Sequence, residues 1–80
     1  MPVVFRHKGC RFFFYSNEGF PREPLHIHVR CGTAVAKFWL EPVPGIASSY
    51  GFQSSQLNEL FSVAVANKQN IREFWNEHLG

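Results

Sequence analysis

The sequence contains no apolar run that approaches the roughly 20 residues a membrane-spanning helix needs. Residues 1–6 show no signal-peptide pattern, so we expect no secretory signal. Neither the Gly-x-Ser-x-Gly motif of a nucleophile elbow nor a glycine-rich phosphate loop is present. These absences argue against a membrane protein, a serine hydrolase of that type and a P-loop enzyme, and they predict a cytoplasmic protein.

Cysteine is scarce and the net charge is small. Cys10 and Cys31 come without a secretory signal, so we expect reduced thiols at buried strand positions. A disulfide and a metal thiolate are the alternatives. The formal net charge of +2 and the pI of about 8.8 are only mildly basic. Such a charge does not by itself indicate nucleic-acid binding, because the local clustering of cations matters more than their total.

Apolar residues, by contrast, are abundant for the size of the chain. Its 80 residues predict one domain, 1–80, and a domain this small buries only about 60% of its unfolded surface. Yet 45% of the residues are hydrophobic and nine are Phe. This surplus predicts either an aromatic core or a surface that meets a partner, such as a second copy in a homodimer or another small protein.

Two segments, 24–31 and 34–41, alternate apolar and polar residues in the manner of β-strands. Because side chains alternate between the faces of a strand, His26, His28 and Arg30 share one face of the first segment. The apolar residues of that segment share the opposite face.

A two-residue turn at Gly32 and Thr33 would join these segments as a β-hairpin. In that register His28 lies opposite Lys37, and both apolar sets fall on one side of the sheet. The same register places three further pairs opposite each other: His26 and Trp39, Ile27 and Phe38, and Cys31 and Ala34.

The remaining segments predict an α+β fold. Residues 3–6 and 10–15 indicate two further strands, whereas 46–52 is irregular, helical or strand-like. An amphipathic pattern then indicates one helix over 54–78, or a pair whose second helix opens at Asn70. We therefore predict a four-stranded antiparallel meander covered on one face by a C-terminal helix or helix pair.

Three motifs in order resemble the bacterial family DUF4160. They are Phe-Phe-Phe-Tyr-Ser-Asn-Glu-Gly at 12–19, Pro-x-His-x-His-Val at 24–29 and Ala-Lys-Phe-Trp-Leu-x-Pro-Val at 36–43. The chain has Leu25 where a second proline is often seen. The resemblance implies a small cytosolic protein encoded beside another small protein, in the manner of a toxin–antitoxin pair. It implies no particular chemistry.

The polar face of the hairpin suggests RNA binding, with RNA cleavage as an extension of it. Cations can contact phosphates and an aromatic plane can stack on a base, while two imidazoles can act as acid and base. The candidate catalytic residues are His26, His28, Lys37 and Tyr15. The candidate nucleic-acid contacts are Arg30, Trp39, Arg11 and Arg22.

Two alternatives belong to other functional classes. The His-x-His pattern could begin a metal site, but no third ligand stands at a diagnostic spacing and Lys37 opposite His28 would repel a cation. We therefore predict no metal and no cofactor. The second alternative is a non-enzymatic protein–protein interaction module, because Trp, Tyr and Arg dominate interface hot spots.

The functional interpretation requires both imidazoles to project from the side of the sheet that the helices leave uncovered. If both imidazoles are exposed in this way, we expect the replacement of His26 and His28 by alanine to leave folding intact and to abolish the activity.

Overall fold

The computed structural model describes residues 3–15 and 23–78. It shows an α+β fold, which confirms the predicted class. Five strands are followed by two helices: β1 Val3–His7, β2 Cys10–Phe13, β3 His26–Cys31, β4 Ala34–Trp39, β5 Gly45–Tyr50, α1 Ser54–Ala66 and α2 Lys68–His78.

The sheet is an antiparallel meander in the order β1-β2-β3-β4-β5. The prediction of four strands was therefore wrong by one, because β5 adds a strand beside β4. Residues 46–52, which the sequence allowed to be irregular, helical or strand-like, are mostly strand. Its sequence, Gly-Ile-Ala-Ser-Ser-Tyr, is rich in small residues and lacks the apolar–polar alternation that revealed β3 and β4.

The predicted pairing of β3 with β4 is confirmed. Cys31 lies opposite Ala34, His28 opposite Lys37, and the turn between the strands consists of Gly32 and Thr33. Gly32 has a φ of 63°, the left-handed conformation that glycine adopts without a steric penalty. Every side chain of the two strands therefore lies on the expected face.

The helices cover one side of the sheet. On α1, Leu60 and Ala64 are buried, and on α2, Ile71 and Trp75 are buried, in agreement with the amphipathic pattern predicted for 54–78. The core cluster contains residues from the sheet, its flanking segments and both helices: Cys10, Phe12, Phe14, Leu25, Ile27, Val29, Ala36, Phe38, Leu40, Leu60, Ala64, Ile71 and Trp75.

Of the two helical alternatives, the structure has the pair. The break lies at Asn67, and α2 begins at Lys68 rather than at Asn70. The side-chain nitrogen of Asn67 donates to the carbonyl of Val63 at 2.8 Å. Such a bond from side chain to backbone competes with the regular helical ladder and favours a break. Among the residues described, no helix is both long enough and apolar enough to cross a membrane.

The expectation of reduced thiols was wrong, because Cys10 and Cys31 form a disulfide. The pairing of β2 with β3 places them directly opposite each other, with their Cα atoms 4.4 Å apart. The pairing of the two cysteines could not be predicted from the sequence, because the length of the segment between β2 and β3 does not determine the register of these strands. Stable disulfides are typical of oxidising compartments, so this bond does not support the predicted cytoplasmic location.

His26 was expected to be open on the uncovered side, and this was wrong: its side chain is 0% exposed. The indole ring of Trp75, from α2, has its centroid 5.2 Å from the His26 ring and 5.0 Å from the Phe14 ring. Trp75 therefore encloses the imidazole at the end of the sheet where β3 begins. The sequence placed His26 on the correct face of β3 but could not show that a distant helix covers it.

We expect His26→Ala to lower the free energy of unfolding by about 2–4 kcal/mol, because it leaves a cavity beneath Trp75 and removes a buried hydrogen bond. Urea unfolding followed by circular dichroism measures this loss. The control His78→Ala, at the exposed end of α2, should cost less than about 1 kcal/mol. Equal unfolding midpoints for the two variants would contradict the structural role of His26.

Reduction of the Cys10–Cys31 disulfide should destabilise the protein by about 3 kcal/mol, because the bond closes a loop with a sequence separation of 21 in the unfolded chain. Urea midpoints with and without a phosphine reductant measure the effect. The double variant Cys10→Ala/Cys31→Ala is the control, and its midpoint should not respond to the reductant. A midpoint of the unaltered chain that is also insensitive would show that the bond does not stabilise it.

Candidate functional site

The outer face of the sheet, defined as the side opposite α1 and α2, carries three arginines in one row. Arg6 on β1 lies opposite Arg11 on β2, which in turn lies opposite Arg30 on β3. Neighbouring strands are about 4.8 Å apart, so the row crosses three strands over a short distance. We call these three residues the arginine row.

No carboxylate neutralises the arginine row within residues 3–15 and 23–78. The ion pairs found there join Glu59 to His7 and Lys8, Glu41 to Arg72, and Glu23 to Lys37 and His26. In the same part of the chain, the Nε of Arg30 is buried and lacks a hydrogen-bond partner. A buried donor without an acceptor is costly, and a bound anion would satisfy it.

Beside the arginine row lies a group of packed rings. The ring centroid of Phe13 is 5.6 Å from that of His28 and 5.3 Å from that of Tyr15. Tyr15 meets His28 edge-on at 4.7 Å. Phe13 is buried although it faces away from the main core, because these rings lie over it. The imidazole of His28 is therefore held in a defined place on the outer face.

His26 lies beside this group of rings, on the same face of β3 as His28. Its Nδ1 donates to the carbonyl of Pro24 at 3.0 Å, and its ring lies 5.2 Å from that of His28 and 5.4 Å from that of Trp39. The two imidazoles are thus adjacent, as the strand alternation predicted. Only His28 has any exposed surface.

Lys37 connects the imidazoles with Trp39. Its Nζ lies 3.0 Å from a carboxylate oxygen of Glu23 and 4.3 Å from the centroid of the Trp39 ring. The ion pair and the cation–π contact hold the ammonium over the outer face, although this pairing with Glu23 is partly exposed and weak. An incoming anion could therefore compete for Lys37.

A depression of about 200 Å³ lies between these groups on the outer face. We call it the cationic depression, and its lining residues are Tyr15, His28, Arg30, Val35, Ala36, Lys37 and Ser48. It brings together two cationic side chains, one imidazole and two hydroxyl groups. Such a set can bind a phosphate by charge and by hydrogen bonds.

The predicted site residues do not all meet at one place in the structure. Tyr15, His28, Arg30 and Lys37 meet in the cationic depression. Arg11 does not line it but lies opposite Arg30 in the sheet. His26 and Trp39 lie beside the depression without lining it, and Arg22 lies outside the described residues.

Sequence reasoning missed two members of this surface. Ser48 was missed because β5 was not recognised as a strand, and it lies opposite Lys37 in the sheet. Arg6 was missed because the pairing of β1 with β2 was not assigned a register. A hairpin register with a turn at Lys8 and Gly9, both with positive φ, would have revealed Arg6 opposite Arg11.

Among residues 3–15 and 23–78, no group of three or more His, Cys, Asp or Glu side chains is arranged to hold a metal ion. The imidazoles of the His-x-His pattern are adjacent, and the carboxylate near them, that of Glu23, lies 3.8 Å from the Nδ1 of His26. That nitrogen already donates to a carbonyl, which leaves no lone pair on it for a metal.

The comparison with known families confirms the resemblance that the three sequence motifs indicated. The sequence model of the family described as "Domain of unknown function (DUF4160)" matches residues 9–76, which include β2, β3, β4 and β5 and nearly all of the helical pair. No curated protein and no solved structure matches the chain. Since the match covers most of the sequence, the chain belongs to the DUF4160 family.

Proposed function

We propose that this protein binds single-stranded RNA on the outer face of its sheet, with the phosphates at the arginine row and in the cationic depression. The observation that carries this proposal is the buried, unpartnered Nε of Arg30 at a depression that Lys37 and His28 also line. An anion in that depression would give Arg30 its missing acceptor and would bring its charge close to two cations.

Single strands suit this surface better than a duplex does. Proteins that bind single strands combine a positively charged track with rings on which bases stack. Here the arginine row supplies the track, and Tyr15, which is 40% exposed, and Trp39 supply the rings. The hydroxyl groups of Tyr15 and Ser48 can hydrogen-bond a 2′-hydroxyl, the group that distinguishes RNA from DNA.

The condition that both imidazoles be open fails at His26, so the proposal relies on Arg30, Lys37 and His28 and covers binding rather than cleavage. Acid–base cleavage by an imidazole pair needs both rings to reach the substrate, and His26 is fully enclosed. We assign His26 the role of positioning His28, which it contacts ring to ring.

We expect labelled 20-nucleotide oligouridylate to bind with an affinity that falls steeply with salt, because binding displaces counterions from the phosphates. In a plot of log affinity against log salt, each phosphate contact contributes about −0.7 to the slope. Arg11→Gln and Arg30→Gln should each weaken binding by about tenfold and make the slope less steep by about 0.7. Fluorescence anisotropy over a series of salt concentrations measures both quantities.

Lys8→Gln is the matched control, because it removes one cation from the opposite side of the sheet, where Lys8 pairs with Glu59 of α1. It should leave the affinity and the slope nearly unchanged. Thermal unfolding establishes that each variant is folded. If the arginine variants and Lys8→Gln bind equally well, or if the unaltered chain does not bind at low salt, the proposal fails.

A second candidate function is the binding of a small partner protein, such as the product of an adjacent gene in a toxin–antitoxin-like pair. The observation that favours it is the outer edge of β5, with which no strand among residues 3–15 and 23–78 pairs. β5 has no charged residue and no proline, the features that usually block an edge strand. Tyr50, 73% exposed, and Ile46 lie along this edge, and Val43, 72% exposed, lies just before it. An extended segment of a partner could add a sixth strand there.

If a partner uses this edge, Ala47→Lys should abolish the complex, because a charged side chain on an edge opposes strand addition. The test is co-expression with the adjacent gene product, followed by native mass spectrometry of the purified complex. Ser62→Lys on the exposed side of α1 is the control and should not affect the complex. A complex that survives Ala47→Lys contradicts edge binding, and a dimer of this chain alone that is lost in Ala47→Lys would identify a second copy as the occupant.

A further inference from the structure

Next to Lys37 and Trp39, a second depression of about 260 Å³ opens at the end of β4. We call it the base cleft, and its lining residues are Pro24, Trp39, Glu41, Pro42 and Val43. Among the described residues, its walls are one indole ring and three apolar side chains, and the one charged group is the carboxylate of Glu41. It is separate from the cationic depression, with which it shares no lining residue.

We propose that the base cleft binds a guanine base of the same RNA strand whose phosphate lies in the cationic depression. This inference rests on the proposed RNA binding and adds a base preference to it.

The spacing of the two depressions suits one nucleotide. Lys37 lines the cationic depression and Trp39 lines the base cleft, two positions further along β4. Residues at positions i and i+2 of a strand lie on one face about 6.5–7 Å apart. That separation is comparable with the distance from the phosphorus atom of a nucleotide to its own base, so one nucleotide can occupy both sites.

The walls of the cleft suit the flat faces of a base. Trp39 is half-buried and held in place by Lys37 over its ring and by the edge-on contact with His26. A ring that is already fixed loses little conformational entropy when a base stacks on it. The exposed Val43 and the two prolines offer apolar contacts to the remaining surface of the base.

Glu41 determines which base fits best. Arg72 donates to one of its carboxylate oxygens at 2.8 Å, and this hydrogen bond lowers the pKa of Glu41. At neutral pH the carboxylate is therefore ionised and can only accept hydrogen bonds. Guanine presents two adjacent donors, N1–H and the N2 amino group, on one edge, and a carboxylate can accept both. Uracil offers one donor between two acceptors, which the carboxylate would repel.

The test uses guanosine 5′-monophosphate, uridine 5′-monophosphate and ribose 5-phosphate as probes of the intact chain at low salt. Base stacking should make guanosine monophosphate bind roughly 5- to 150-fold more tightly than ribose 5-phosphate. The indole N–H signals of the two tryptophans report the position of binding by NMR. The signal of Trp39 should shift on titration, and that of the buried Trp75 should not.

Two variants separate the carboxylate from its ion pair. Glu41→Gln should reduce the preference for guanosine over uridine monophosphate to less than about threefold, because an amide offers only one acceptor atom. Arg72→Gln breaks the same ion pair but keeps the carboxylate, so it should retain the preference. If Arg72→Gln loses the preference as fully as Glu41→Gln, the ion pair rather than recognition by Glu41 explains it, and the proposal is wrong.

The outcomes also distinguish this inference from the proposed function. Equal affinity for guanosine monophosphate and ribose 5-phosphate, together with salt-dependent binding of oligouridylate, would overturn the base cleft and leave RNA binding at the arginine row intact. Absence of binding for both mononucleotides and for the oligonucleotide would overturn both proposals.

Discussion

The antiparallel pairing of β3 with β4 is the constraint on which the rest of the structure depends. It places Ile27 and Phe38 together on the helix side and His28 and Lys37 together on the outer face. A slip of one residue would expose the two apolar side chains to water and bury the polar pair. The hydrophobic effect that builds the core therefore also determines which side chains compose the outer face.

The outer face gains its charge from the way in which the carboxylates are distributed. Hydrogen bonds from His7 and Lys8 lower the pKa of Glu59, which lies on the helix side, and Arg72 does the same for Glu41. These carboxylates are engaged away from the arginine row. A formal net charge of only +2 thus coexists with a local cluster of cations.

The two imidazoles, those of His26 and His28, have different roles in the structure. The enclosed ring of His26 joins Trp75 of α2 to Trp39 of β4, and so connects the helical layer to the outer face. The ring of His28 rests on Phe13 and lines the cationic depression. The His-x-His pattern therefore combines a structural residue with a surface residue, although the two are identical in type and neighbours on one face.

The sequence by itself determined the α+β class, the register of β3 with β4, the amphipathic pattern of the helical region and the shared face of three residues that meet in the cationic depression, His28, Arg30 and Lys37. Each of these follows from local periodicity, in which the face of a side chain depends only on its position in the strand or helix. The tertiary structure alone decided the disulfide, the fifth strand, the arginine row and the burial of His26. The disulfide, the alignment of Arg11 with Arg30 and the burial of His26 depend on contacts that join β2 to β3 and α2 to the end of the sheet, across longer stretches of chain. The fifth strand and the place of Arg6 depend on neighbouring strands, β5 with β4 and β1 with β2, to which no pairing register was assigned. Periodicity carries no information about such contacts, because it gives the face on which a side chain lies and not the segment that lies opposite it.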